Sequence, residues 1–321
     1  MKGGILCSGS IVYDTFVRPV EDPPWGTTTF VETIEYHPGG NGANTSLALA
    51  ALGASVRLLG AVGDDDRGSF LIAALRESGV DTQFIATASA PTATSVVIVN
   101  GAGDRKFLHH LGASSVAFDS PPEFAGDTVE RMSHYHLASL FVLPKLRRHA
   151  PETLQRARHA GLTTSLDTNW DAEGRWMRDL QPCMPHLDLI FMNEDELRMV
   201  TGYSDPKQAS KVLLDAGVKT AVLKLGVRGC GIYTQREEYL CPAFDVPVKD
   251  TTGAGDCFVA GFLAARLDGA SLPDAGLFAN AVAAHTVQNI GAVIGIRSYG
   301  QVQSWMTQAR LRAAQPDVLC R

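Results

Sequence analysis

Several things are missing from this sequence, and each absence removes a class of function. There is no basic excess: the formal net charge is -6. No run of Lys and Arg has the length a nucleic-acid binder carries, so an electrostatic nucleic-acid function is excluded. Cysteine is sparse and scattered, at positions 7, 183, 230, 241, 257 and 320, with no CxxC pair and no Cys/His cluster at zinc spacing. Isolated thiols of this kind fit a reducing compartment, and the expected localisation is cytoplasmic. The apolar opening "MKGGILCSGSIVYDTF" is too short for a signal peptide and meets Asp14 early. The longest uncharged stretch, 275–296, has the length to span a bilayer, but Asn280, His285, Gln288 and Asn289 interrupt it. It reads as a buried helix and a loop, so no membrane partner is expected. A Walker A loop is also absent, because "KLGVRG" at 224–229 lacks the GK[ST] ending. "GAVGDD" at 60–65 falls short of G-x-G-x-x-G and reads as a turn. There is no internal repeat and no low-complexity linker.

What is present is a chain of 321 residues that is 45% hydrophobic, enough for one large core or two smaller ones. After residue 130 strands and helices alternate: a strand at 133–140, a helix at 145–160, then strands at "LTTSLDTN", "LDLIFMN" and "KTAVLKLG". A hairpin at 230–244 follows, and helices run from 254 to the end. This order predicts an α/β fold with a predominantly parallel central sheet covered by helices on both faces. Two strand-like segments resist the alternation. Residues 27–36 alternate and are rich in Thr and Val; 92–99 and 105–111 are joined by the hairpin signal "NGAGD". Segments 12–38 and 92–112 are therefore expected to pair into a small separate sheet, a lid on a single domain spanning 1–321.

Candidate site residues fall where open parallel sheets hold ligands, beyond the carboxyl ends of strands. In "KDTTGAGDCFVAGF", Gly253, Ala254 and Gly255 present backbone N–H groups at a helix start, where the dipole favours anions. Asp256 follows at once. It is either a helix cap or a general base beside an anion cradle, and this stretch alone gives the two readings equal weight. "HPGGNGAN" at 37–44 is a second Gly-rich turn; Asn41 and Asn44 can donate to and accept from a polyol, or simply close a turn. Asp14 can hold two adjacent hydroxyls or be a solvated loop carboxylate. In "NEDE", Asn193 and Glu196 fit a capping box, or a phosphate contact and a Mg²⁺ organiser acting through water.

Taken together, these stretches resemble the PfkB/ribokinase family of carbohydrate kinases. "DTTGAGDCFVAGF" matches the family's C-terminal signature, "GGNGANTSLALAALG" its N-terminal one, and "NEDE" its Asn-x-x-Glu element, in the family's order. The resemblance implies a ribokinase-like fold and ATP-dependent phosphorylation of a sugar hydroxyl. It makes Asp256 the base and Gly253, Ala254 and Gly255 the anion hole. It places Asp14, Gly40, Asn41 and Asn44 at the sugar, Asn193, Lys224, Gly226, Gly229 and Asn280 at the nucleotide, and Glu196 at Mg²⁺. A monovalent cation such as K⁺ would lie at Asp250 and Thr252 with the carbonyls of Val287, Ile290 and Ala292. Gly295 stands where relatives often supply a hydroxyl to that cation. Asn41 replaces the lysine usual in ribokinases, which speaks against ribose. A homodimer through the lid is implied as well. Aromatic residues in the lid segments, Phe16, Trp25, Phe107 and His109, keep a nucleoside kinase in view. A sugar or nucleotide sensor without turnover is the contrasting class; it would be expected to lose Asp256 or Glu196, and both are present. Arg105 and Lys106, at the hairpin end, either meet a phosphorylated sugar or are solvated.

Overall fold

The computed structural model describes residues 3–21, 23 and 25–312. Among the described residues thirteen strands form two sheets. The larger draws on β1 (Gly4–Ser8), β4 (Val56–Gly63), β5 (Ile85–Ala88), β8 (Met132–Leu137), β9 (Thr163–Asp167), β10 (Leu189–Asn193), β11 (Thr220–Lys224), β12 (Cys230–Thr234) and β13 (Glu238–Cys241), in the order β13-β12-β11-β10-β9-β8-β1-β4-β5. The strands from β11 through β5 in that order pair in parallel, while β12 and β13 close one edge as an antiparallel hairpin.

Near-continuous apolar runs such as "GILCS" and "LIFMN" produce this sheet, because a strand buried on both faces gains nothing from alternation. Successive side chains of β1 enter different layers. Ile5 and Cys7 pack with the helices Asn41–Ala51, Ala254–Leu267 and Leu272–Val287, and Leu6 packs with Pro144–His159 and Pro206–Asp215 on the other face.

The second sheet has the order β3-β2-β6-β7, from β2 (Val12–Arg18), β3 (Thr33–Gly39), β6 (Thr94–Val99) and β7 (Arg105–His110). It combines the two segments that broke the alternation. The expected strand at 27–36 begins later, at Thr33, because its partner β2 ends at Arg18, which pairs with Thr33. The strand expected at 92–99 opens at Thr94, because the Thr92 N–H is taken by the Asp65 carboxylate at 2.8 Å. Beyond the last helix, Tyr299–Met306, the C-terminal cysteine of the sequence lies outside the described residues. Among the described residues no helix is long and apolar enough to cross a membrane.

Candidate active site

The carboxyl ends of β9, β10 and β11 lie side by side. Register pairs Phe191 with Asp167 and Asn193 with Lys224. From this edge Lys224 extends its ammonium to both oxygens of Asp167, at 3.0 and 2.9 Å. Glu196 is buried in the first turn of the helix that follows β10. Asn193 and Glu196 form the capping box, with the Asn193 side chain accepting from the Glu196 N–H at 2.8 Å and Glu196 Oε2 accepting from the Asn193 N–H at 2.9 Å. The capping reading is therefore correct locally. It leaves Glu196 with a charge facing Lys224 and Asp167, so cap and charge cluster coexist.

Opposite this edge, the helix Ala254–Leu267 begins at the Gly-rich turn. Gly253 adopts φ 70°, and a Cβ there would fall 2.2 Å from the Ala292 carbonyl oxygen, so only glycine fits. The Ala254 N–H turns back to the Thr251 carbonyl at 3.2 Å. The next N–H groups, of Gly255 and Asp256, are left at the open end of the helix, where no carbonyl of the described residues takes them. Gly255 borders Lys224: a Cβ on Gly255 would sit 3.5 Å from the ammonium.

Asp256 does not cap its own helix. Its two oxygens accept from Asn41 Nδ2 at 2.7 Å and Asn44 Nδ2 at 2.8 Å, both on the helix Asn41–Ala51. Both signatures thus meet in one carboxylate. Burial raises the Asp256 pKa, and the two amide donors pull it partly back. Asp167 and Glu196 are raised by burial as well, against the pull of Lys224. Burial acts to lower the Lys224 pKa, but Asp167, Glu196 and Asp256 outweigh it and hold the ammonium charged. Three carboxylates thus share one ammonium, and the excess negative charge suits a divalent cation. Mg²⁺ is bound through one or two carboxylates and retained waters, so two acids at this edge fit it without a closed protein cage. Among the described residues no group of three or more acids, histidines and cysteines forms such a cage.

A cavity of about 290 Å³ runs outward from Lys224 and Gly255, between the 226–229 turn and the helices Ala254–Leu267 and Leu272–Val287. Gly226, Val227, Gly229, Phe244 and Val246 line it, an apolar wall suited to a flat base. Asn280 also lines it, but its amide donates to the Cys241 and Pro242 carbonyls at 2.9 and 3.1 Å and braces the wall.

Asp14 is placed on β2 of the small sheet, opposite His37 and beside Ser95. Its Oδ2 occupies the space over Gly39, where a Cβ would come within 1.9 Å. Burial pushes its pKa up to about 6, although the Ser95 hydroxyl and His37 oppose the shift. Gly40 starts the Asn41–Ala51 helix.

The cation set is arranged differently from the expectation. Asp250 is buried and ion-paired at 2.7 Å to Arg105, which also donates to the Thr252 hydroxyl. Arg105 is therefore neither solvated nor free for a phosphorylated sugar. The Val287 carbonyl accepts from the N–H groups of Lys249 and Asp250, and the Ala292 carbonyl from Cys257 Sγ at 3.3 Å. Two residues of this site, Asp167 and Arg105, had no motif to mark them. Asp167 could have been found as an acid ending an apolar parallel strand, "TTSLD".

A mostly parallel sheet with an open helix terminus, an acid in its first turn and a base-sized cavity beside it defines a phosphate-binding class of architecture. Comparison with known proteins makes this specific. The pfkB family carbohydrate kinase profile matches residues 3–298, and the chain belongs to that family. It is 31% identical to "Probable fructokinase-7" of Arabidopsis thaliana over 95% of this chain and 93% of the relative. It is 29% identical to an "ATP-dependent ribose-1-phosphate kinase" of Halopiger xanaduensis over 90% of this chain and 93% of the relative. The structure of Arabidopsis thaliana ribokinase complexed with ribose and ATP superposes with a TM-score of 0.83 at 26% identity, over 95% of this chain and 98% of that one. The fold is ribokinase-like.

Proposed function

We propose that the protein is an ATP-dependent sugar kinase that phosphorylates a hydroxyl of a small neutral sugar, with a ketohexose such as D-fructose as the first candidate. One observation carries this reading: the Asp256 carboxylate is held by Asn41 and Asn44 at the mouth of the open helix terminus. Each carboxylate oxygen can accept a further hydrogen bond, so a sugar hydroxyl can join without displacing either amide. Asp256 would take the hydroxyl proton as the oxygen attacks the terminal phosphorus of ATP. The N–H groups of Gly255 and Asp256, the helix dipole and Lys224 would stabilise the charge moving onto the transferred group. Gly253 and Ala254 shape that turn. Positioning and charge stabilisation dominate in phosphoryl transfer, and base assistance is a smaller part.

Acid groups dominate the sugar side, Asp14 and Asp256 among them, and Arg105 and Lys224 are already paired. A phosphorylated or acidic sugar would meet unfavourable charge, which supports a neutral one. Asn41 in place of lysine adds to that. The cavity lined by Gly226 and Gly229 would take the base of ATP, with Asn193 and Asn280 at its rim and wall. Glu196 and Asp167 would hold Mg²⁺ through water, and that ion neutralises phosphate charge when bound. The family resemblance also implies K⁺, but the donors for it at Asp250, Val287 and Ala292 are engaged by protein groups and do not fit a bound cation.

The small sheet would act as a lid on a single kinase domain. Its Ile34, Tyr36 and Leu108 fall on one face by register and are each more than half exposed, a face suited to a second copy of the chain, and a monomeric mass in solution would remove that assignment. Cytoplasmic residence is part of the same reading. The retention of Asp256, Glu196 and Asp167 as three acids acting on the one ammonium of Lys224 supports an enzyme over a sensor. The test is ATP-dependent ADP release across ketoses, aldoses, sugar acids, phosphosugars and nucleosides. Stimulation by neutral sugars supports the reading. Saturable sugar binding without ADP release would replace it with a sensor, and stimulation confined to nucleosides would replace the sugar.

A further inference from the structure

Asp250 lies three residues before Gly253 and holds the cradle turn from two sides. Its Oδ1 accepts from the Thr252 N–H at 2.6 Å, and its Oδ2 accepts from the Gly291 N–H at 3.0 Å. The loop containing Gly291 continues to Ala292, whose carbonyl lies against Gly253. The side chain of Asp250 is 2% exposed. A buried carboxylate of this kind must be balanced by a positive charge, or the turn built around it is not stable.

Among the described residues the balancing charge is Arg105, whose Nη2 lies 2.7 Å from Asp250 Oδ1 while Nη1 donates to the Thr252 hydroxyl. Arg105 does not belong to the same layer. It is the first residue of β7 in the small sheet, pairs with Val99, and reaches across to the main body. The charge paired with the acid of the cradle turn is therefore carried by the small sheet.

We propose that the Arg105 guanidinium takes the place of a dissociable monovalent cation: it is a positioning residue, delivered by the small sheet, that sets the Asp250–Gly253 turn, and the protein needs no K⁺. Two of the three expected carbonyls agree with this. Val287 already accepts from two backbone amides, and Ala292 is engaged by Cys257 and pressed against Gly253. Removing the guanidinium leaves a buried acid with space beside it, a site a small cation can then enter. This inference rests on the kinase reading only for its kinetic arm.

The first measurement is thermal unfolding of the full chain in KCl, NaCl and choline chloride at equal ionic strength, for wild type, Arg105→Ala and Arg105→Lys. The wild type should melt at the same temperature in all three, within about 1 °C. Arg105→Ala should melt lower in choline and recover by roughly 2 °C or more in KCl or NaCl, because a ligand that binds only the folded state raises its stability. Arg105→Lys keeps a tethered charge and should show little cation response. A wild type stabilised by K⁺ over choline overturns the proposal. So does an Arg105→Ala protein indifferent to all three salts. If Arg105→Ala does not fold, Arg105→Gln takes its place in the same comparison.

The second measurement is ADP release with D-fructose. Wild-type turnover should not change between K⁺ and choline, whereas Arg105→Ala should lose turnover by up to roughly a hundredfold and regain part of it with K⁺. A lost hydrogen bond of merely structural value would show no rescue by K⁺, and that result in both assays counts against the proposal. Failure of the kinase reading appears as absent turnover in the wild type, which leaves the melting comparison intact.

Discussion

Replacing Asp256 by asparagine removes one proton acceptor and almost no volume. In the wild type both carboxylate oxygens receive short amide hydrogen bonds, at 2.7 Å from Asn41 and 2.8 Å from Asn44. In Asp256→Asn one of these becomes donor against donor. Asn44 can relieve it by turning its amide, because its Oδ1 is buried without a partner and would then accept from the new side chain. One charge-assisted bond is weakened, while the burial cost of a carboxylate disappears. The two effects oppose each other, so the stability change should stay near about 1 kcal/mol. Catalysis has no such compensation. General-base assistance is worth about 10²–10⁴-fold, or roughly 3–5 kcal/mol. Steady-state ADP release with D-fructose should fall by that factor, while calorimetry with a non-hydrolysable ATP analogue gives a near wild-type affinity. Turnover within about threefold of wild type, in a protein with unchanged melting temperature, would refute the reasoning and reduce Asp256 to the opening residue of a helix.

Further outcomes follow from the same geometry. Because burial raises the Asp256 pKa and the two amides oppose it, activity should climb with pH along a limb above the ordinary aspartate range. Asn44→Ala should move that limb to higher pH, and an unmoved limb in the pH–rate profile would dissociate it from Asp256. Asp14 is raised from 3.8 to about 6, so the folded state binds more protons than the unfolded state between those values. Its contribution to stability is present below pH 3.8 and is lost as pH rises through about 6, whereas kcat/KM for the sugar should rise over the same window; Asp14→Asn should flatten both dependences. Lys224→Met leaves Asp167 buried and unpaired and should cost about 3–5 kcal/mol in denaturant unfolding. Adding Asp167→Asn should restore stability without restoring turnover. Gly253→Ala forces a Cβ onto the Ala292 carbonyl at positive φ and should cost about 1–3 kcal/mol together with most of the activity.

The parallel sheet was legible because strands buried on both faces leave apolar runs, and the small sheet because its segments broke that pattern. Asp256, Asn41 and Asn44 were legible individually, since Gly-rich turns before helices mark themselves. Their convergence was not, because no local rule ties position 41 to position 256. Asp167 was passed over for the same reason, and Arg105 was read only as a contact to a phosphorylated sugar or a solvated charge. An aspartate ending a strand and an arginine opening a hairpin strand are ordinary until the fold brings Lys224 to one and Asp250 to the other. The NEDE stretch shows the opposite case: its capping box was correct, and it left open which way the buried Glu196 charge would face.

A crystal structure with D-fructose and a non-hydrolysable ATP analogue tests the central claim most directly. The account predicts a sugar hydroxyl within about 2.6–3.2 Å of the Asp256 carboxylate. It also predicts the terminal phosphate between that hydroxyl and the N–H groups of Gly255 and Asp256. A sugar bound away from Asp256, or a triphosphate that does not reach the start of the Ala254–Leu267 helix, would contradict it.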